Sequence, residues 1–291
     1  MFVHGNNLEQ KEAHPSKYRD PSSRQYLAEI RLRYDAWKKA NLELIGPLAA
    51  HAENDSLTLE TRVKLLNEYK DFIDQQHYAE KFDSRSNLHS SVMEEFMYYL
   101  FKDMVSQLSG HALLGKSHTF KDLFFKADSY DDMLKNPRIL IEKKDHDFAI
   151  GMKLSAQFRC EGQPESSSQT DNWDLPAVAI ECKTYLDKTM LQDASTAAEQ
   201  LKHRNPNALY IVVAEWLKLT ESVNLRKFKI DQIYVLRKQK NTDREYRYED
   251  GYEKNPIYTD AVKHLYETVR TFLTSSWEGG INFGLQRGFL I

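Results

Sequence analysis

The chain is poor in cysteine. Its 291 residues include two, Cys160 and Cys182, too few for a disulfide framework or a closed zinc site. It has no apolar run long enough to span a bilayer, so no membrane role is expected. Residues 1–7 lack the basic-then-apolar order of a signal peptide, and a cytoplasmic, reducing location is the expectation. Positive charge is not in excess either: 40 Lys and Arg stand against 43 Asp and Glu, for a net charge of −3. That argues against a non-specific nucleic-acid coat but not against a local basic footprint. His89, His111, His118 and His203 show no metal-ligand spacing. No internal repeat and no phosphate-binding glycine loop is present. With 41% hydrophobic and 29% charged residues, the composition is that of an ordinary globular protein.

Hydrophobic spacing predicts that the first ~140 residues are mostly helical. Helices are expected over 23–44, 59–73 and 88–108. The last carries a broad stripe of Val92, Phe96, Met97, Leu100, Met104 and Leu108 and should be a core helix. The pattern then changes. Residues 147–158 alternate as a strand, 162–172 are polar and turn-rich and are read as a loop, and 177–183 form a strand. A helix over 189–203, strands over 209–216 and 230–236, a charged tyrosine-rich loop over 241–255 and a helix over 258–273 follow. Strand, helix and strand from 177 to 216 make a crossover unit with parallel strands. The fold class is therefore α/β: a mixed central sheet flanked by helices, preceded by a helical N-terminal region. Residues 1–85 are assigned to that region and 86–291 to the core with its C-terminal helix.

The strand at 177–183 reads Ala-Val-Ala-Ile-Glu-Cys-Lys. Apolar runs of this kind form strands buried on both faces, and charge at their ends is costly unless paired or metal-bound. Strand alternation places Glu181 and Lys183 on one face and Cys182 on the other. Asp147 is a second acid, preferred over Asp145 because it adjoins the alternating run and shares a face with the small residues Ala149 and Gly151. Magnesium favours a few carboxylates with water and phosphate oxygens. Asp147 and Glu181 are candidate ligands, with the Cys182 main-chain carbonyl as a further one. Lys183 is placed to orient or deprotonate an attacking water and to steady charge growing on phosphorus. His146, a loop histidine beside acids, is expected to be exposed, and Cys182 to be a buried small apolar residue. The reaction these groups suit is phosphodiester hydrolysis.

An acid-bearing strand, a strand ending Glu-x-Lys, a helix and a buried strand in this order resemble the PD-(D/E)xK nuclease superfamily, over residues 88–236. Two departures stand out: His146 replaces the superfamily's proline, and Glu181 lies 34 positions after Asp147. The segment 162–172 would account for the second as a hairpin insertion. Several members carry an acid on a preceding helix. Glu94, in Met93-Glu94-Glu95-Phe96-Met97, matches it and is a candidate catalytic and metal-binding residue, whereas Glu95 points away. Leu88-His89-Ser90-Ser91-Val92-Met93-Glu94-Glu95-Phe96, Asp147-Phe148-Ala149-Ile150-Gly151 and Glu181-Cys182-Lys183-Thr184-Tyr185-Leu186-Asp187 resemble subunits of BbvCI-like restriction endonucleases. That resemblance implies a bacterial type II enzyme, Mg2+ as cofactor, double-stranded DNA as substrate and one strand cut per subunit. It also implies a related second subunit, as a heterodimer, with a homodimer as the alternative.

Arg226, Lys227, Lys229, Arg237 and Lys238 form a locally basic stretch and are candidate phosphate contacts. The N-terminal region would take a DNA-recognition or dimerisation role. Two rival readings remain at this point: a structure-specific repair or recombination nuclease of the same fold, and a non-catalytic DNA-binding or assembly protein.

Overall fold

The structure is a computed structural model describing residues 2–82, 87–135, 138–162, 164–241, 247–277 and 281–288. Five helices come first: α1 (Val3–Glu12), α2 (Pro21–Glu43), α3 (Asp55–Ile73), α4 (Gln76–Lys81) and α5 (Ser90–Leu108). Strand β1 (Leu113–Lys126), short helix α6 (Tyr130–Lys135), β2 (Arg138–Phe158) and β3 (Gln169–Leu186) follow. Then come α7 (Lys188–Arg204), β4 (Leu209–Leu217), β5 (Gln232–Val235), α8 (Thr259–Thr274) and α9 (Ile281–Arg287). Local chemistry explains several boundaries. Asp20 caps α2 by accepting from the Ser23 N–H at 3.0 Å, with Pro21 at the first helical position. Asp187 caps α7 through the Met190 N–H at 2.8 Å, and Lys202, His203 and Arg204 occupy its last turn.

The sheet runs β1-β2-β3-β4-β5. Its first three strands are antiparallel neighbours, and β4 and β5 join in parallel. It is the mixed sheet that the spacing predicts, with α7 as the crossover between β3 and β4. Alternate residues feed two cores. Val178, Ile180 and Cys182 of β3, with Ile211 and Val213 of β4, join Phe148 and Ile150 against α5. Ala179, Tyr210, Val212 and Ala214 face Leu191, Ala194, Ala198 and Leu201 of α7. Each large aliphatic or aromatic side chain buried this way contributes about 1.5–3 kcal/mol. Leu8, Ile30 and Leu66 of the first three helices belong to the same apolar cluster as α5 and the sheet. The 85/86 boundary lies outside the described residues. Among the described residues, no helix is long and apolar enough to cross a membrane.

Several details differ from expectation. The first 140 residues are not uniformly helical, because β1 and the start of β2 lie within them. After Leu113, the buried positions of β1 are Gly115, Ser117 and Thr119, small or polar residues that leave no hydrophobic alternation to read. The segment 162–172 is not one loop: a single 3-10 turn spans Glu165–Ser167 and β3 starts at Gln169. The separation of Asp147 from Glu181 is the length of two hairpin arms, whose register runs from Phe158↔Gln169 back to Phe148↔Ile180. Gly151 does not leave room for a ligand. A Cβ there would lie 2.1 Å from the Leu175 carbonyl oxygen, so the glycine admits the neighbouring strand at an irregularity in the pairing. Ala149 is fully buried. Residues 242–246 of the expected tyrosine-rich loop are outside the described residues.

A buried ionic cluster ties helix α3 to β4, at the level where β3 carries Lys183. Lys70 of α3 meets Glu215 of β4 at 2.7 Å, and Arg237 meets Glu215 at 3.1 Å, all three without side-chain exposure. Arg237 also stacks over Trp216, 4.7 Å from its ring centre, and donates to the Asn255 carbonyl. Removing one member leaves uncompensated buried charge. Glu215→Ala should lower stability by about 3–5 kcal/mol in urea unfolding, and a loss under about 1 kcal/mol would show that the cluster is not structurally important.

Candidate active site

The β2–β3 ladder ends at the Phe148↔Ile180 pair, and the next residue on each strand is an acid. Asp147 Oδ2 accepts from the Cys182 N–H at 2.9 Å and lies 3.4 Å from Lys183 Nζ. Lys183 Nζ lies 3.6 Å from Glu181 Oε1. The three residues therefore form one constellation in which a single ammonium bridges two carboxylates. They lie beside a cleft of about 940 Å³, whose walls include Asp147, Cys182, Lys183 and Tyr185 from the sheet, Glu94 from α5, and Lys116 from β1. Asn6, Asn7 and Gln10 of α1 form part of its rim.

The electrostatics follow from crowding acids where water is scarce. Burial, and then the charge of Asp147, push the Glu94 carboxyl up to about 7; Lys116 and Lys183 oppose this. Glu181 is raised for the same two reasons, and Lys183 opposes the shift. Burial alone would lower Lys183, but Asp147 and Glu181 outweigh it and the net shift is upward. Lys183 is thus held as an ammonium, suited in this state to stabilising negative charge rather than to taking a proton. Burial pushes the Cys182 thiol up, as befits a residue of the α5-facing core.

Glu94 and Glu95 have separate tasks. Glu95 is fully buried and accepts from the His4 and Gly5 N–H groups at 2.9 and 3.1 Å and from the Tyr34 and Tyr99 hydroxyls at 2.9 and 2.6 Å. Its carboxylate thereby caps α1, where the helix dipole favours negative charge. His4 reinforces the joint through Ser91 and Tyr69. Sequence reasoning missed α1 as a wall of the cleft: its buried positions are His4, Gly5, Leu8 and Lys11, and they make no apolar stripe.

The sequence profile of the Bpu10I restriction endonuclease matches residues 85–290. The chain belongs to that family. As a Bpu10I-family member it is a DNA endonuclease, and enzymes of this kind generally work with a divalent metal ion. Among solved structures, the native BbvCI A2B2 tetramer has a chain of the same fold, with a TM-score of 0.68 at 20% identity over 93% of this chain and 96% of that one. No curated protein matches.

The donor set of this candidate site fits a hard divalent cation. Glu181 Oε2 is buried and has no hydrogen-bond partner among the described residues, and three acids repel one another around one ammonium. The acids are not preassembled: among the described residues no group of three or more His, Cys, Asp or Glu stands close enough to hold a metal. Asp145, the rival acid, is drawn away to His118 at 2.6 Å and Lys116 at 3.5 Å. His146 is a buried strand residue, not an exposed loop histidine. It sits edge-on to Tyr210, and burial lowers its pKa to about 4.

The basic stretch divides. Arg226, Lys227 and Lys229 are exposed. Lys238 is exposed with a positive φ of 48° and pairs with Asp260. Arg237 is unsuited to the expected phosphate contact, because it is buried in the ionic cluster with Glu215.

Glu94 titrates near 7 in the folded chain against 4.5 ordinarily. The folded chain therefore holds this proton more tightly, so the stabilisation is complete below 4.5 and is lost as pH rises through 7. Without divalent metal, Glu94→Gln should stabilise the protein at pH 8 by about 1–3 kcal/mol and change little at pH 4. Thermal unfolding at the two pH values measures this, and equal effects at both would refute the assignment.

Proposed function

We propose that this chain is one subunit of a type II restriction endonuclease. It hydrolyses one strand of duplex DNA in a sequence-specific, Mg2+-dependent reaction, and a related second subunit cuts the other strand. The observation that carries the reading is Lys183 held between Asp147 and Glu181 at the open end of a sheet buried on both faces. BbvCI is an A2B2 tetramer, and a partner subunit of related fold is carried to this chain from it.

The roles follow from the chemistry of the groups. Asp147 and Glu181, with Glu94 across the cleft and the Cys182 main-chain carbonyl, would hold Mg2+. The bound ion would lower the pKa of its water and polarise the phosphoryl oxygen. The Cys182 N–H orients Asp147, whose Oδ2 it reaches at 2.9 Å. Lys183, held protonated, stabilises the charge that develops on the non-bridging phosphate oxygens and orients the attacking water by hydrogen bonding. Arg226, Lys227, Lys229 and Lys238 are proposed to meet DNA phosphates, and residues 1–85 to serve recognition or subunit pairing. The cytoplasm is the proposed location.

One experiment tests the assignment. With its partner present, the wild-type chain should linearise a plasmid carrying the site. Glu181→Ala or Lys183→Ala should bind the same DNA yet yield only the nicked circle. If both variants linearise plasmid at the wild-type rate, the site is misassigned. Chelation of Mg2+ should stop both wild-type strand cuts, and restoring Mg2+ should recover them; cutting that persists under chelation would exclude the cofactor. Cut ends mapped on several plasmids should share one sequence, whereas a structure-directed nuclease would cut without one.

A further inference from the structure

We propose that Lys188, Lys218, Lys227 and Lys240 build a subsite for a backbone phosphate of bound DNA, next to the catalytic cleft. The inference rests on the chain being a DNA endonuclease and is independent of subunit pairing. A second pocket of about 360 Å³ is lined by Lys188, Lys218 and Lys227 with Thr220 and Ser222, and no carboxylate is among its lining residues. Lys240 Nζ donates at 2.7 Å to the carbonyl of Leu219, another lining residue, and brings a fourth positive charge to the same loop. Among the described residues, none of these four lysines forms an ion pair. Lysines outside the pocket do: Lys202 pairs with Asp231 and Lys238 with Asp260. Four lysines at one pocket with no ion-pair partner among the described residues are notable in a chain where acids outnumber bases, 43 to 40.

The pocket is a built feature rather than a chance gathering of flexible chains. Leu219 is buried, and Val223, Phe228 and Ile230 pack against the apolar cluster that holds α7. The Lys229 N–H donates to Ser195 Oγ of α7 at 3.0 Å. The nearest acids are occupied or lie outside the lining. Asp187 caps α7 through the Met190 N–H, and Glu221, between Thr220 and Ser222 in sequence, does not line the pocket.

Position identifies the ligand. Lys218 Nζ lies 5.7 Å from the ring centre of Tyr185, and Tyr185 lines the cleft that contains Lys183. Lys188 falls between Tyr185 and Met190, both of them cleft residues. A duplex whose scissile phosphate reaches Lys183 would carry a neighbouring stretch of backbone past this pocket. Lysine is a compact charge that binds phosphate without reading bases. The subsite would therefore add affinity and salt dependence but no sequence preference. Lys227 was among the phosphate contacts expected from the basic stretch, whereas Lys188 and Lys218 carry no signal in the linear sequence.

Counterion release supplies the test. Binding of the full chain to a 30-base-pair duplex is measured without divalent metal across a series of chloride concentrations. The plot of log K against log salt should become shallower by about 1 for each phosphate-bound lysine removed. Lys188→Gln with Lys218→Gln should therefore flatten the slope by about 2, while Lys121→Gln with Lys135→Gln, at ion pairs outside the pocket lining, should not. An unchanged slope in the first variant overturns the subsite, as does a wild-type chain that shows no salt-dependent duplex binding. Wild-type binding with an unchanged slope leaves the endonuclease assignment standing, so the two failures are distinguishable. Inorganic phosphate is the second probe: thermal stabilisation by phosphate that the Lys188→Gln/Lys218→Gln variant loses, together with an unchanged duplex salt slope, would reassign the pocket to free phosphate and overturn the proposal.

Discussion

Two carboxylates cannot both stay charged in a half-buried site without a cation, and where the β2–β3 ladder ends Lys183 meets that requirement. The surrounding structure serves to keep these groups together. The antiparallel register of β2 and β3 sets Asp147 beside Glu181, and the Cys182 N–H fixes the direction of Asp147. Burial of β3 on both faces removes the water that would otherwise dilute the interaction. That burial depends on alternation: Ile180 and Cys182 go to α5, while Ala179 goes to α7.

The site also depends on elements distant in sequence. Glu94 reaches the cleft from α5, and α1 closes one rim because Glu95 caps it. Beside the cleft, which His89 helps to line, Lys70, Glu215 and Arg237 join α3 to β4 and to the segment after β5. Such buried charge is weak support for stability in itself. Its effect here is geometric, since Lys70 and Arg237 converge on the same two acids, Glu215 and Asp74.

Much of this was legible in the linear sequence, and the exceptions have physical reasons. The run ending Glu181-Cys182-Lys183 and the stripe of α5 stand out because hydrophobic periodicity and terminal charge are local properties. β1 was invisible because its buried side is Gly115, Ser117 and Thr119. The cleft wall formed by α1 was invisible because it is bound through main-chain N–H groups that every residue possesses. Arg237 reads like its basic neighbours, and only the fold reveals the acids that enclose it. Asp145 and Asp147 are separated not by composition but by where β1 places His118 and Lys116.

The adjacency of Glu94 and Glu95 has an evolutionary consequence. Consecutive residues on a helix project about 100° apart, so one acid faces the cleft and the other faces α1. Rolling α5 to improve either contact would break the other. A single-residue insertion or deletion in its first turns would turn both by about 100° the same way, so that one acid would take the other's place and the second would lose its own. Sequence drift in α5 is therefore confined to substitution, and descendants of this enzyme that changed length are expected to have done so in the loops around it.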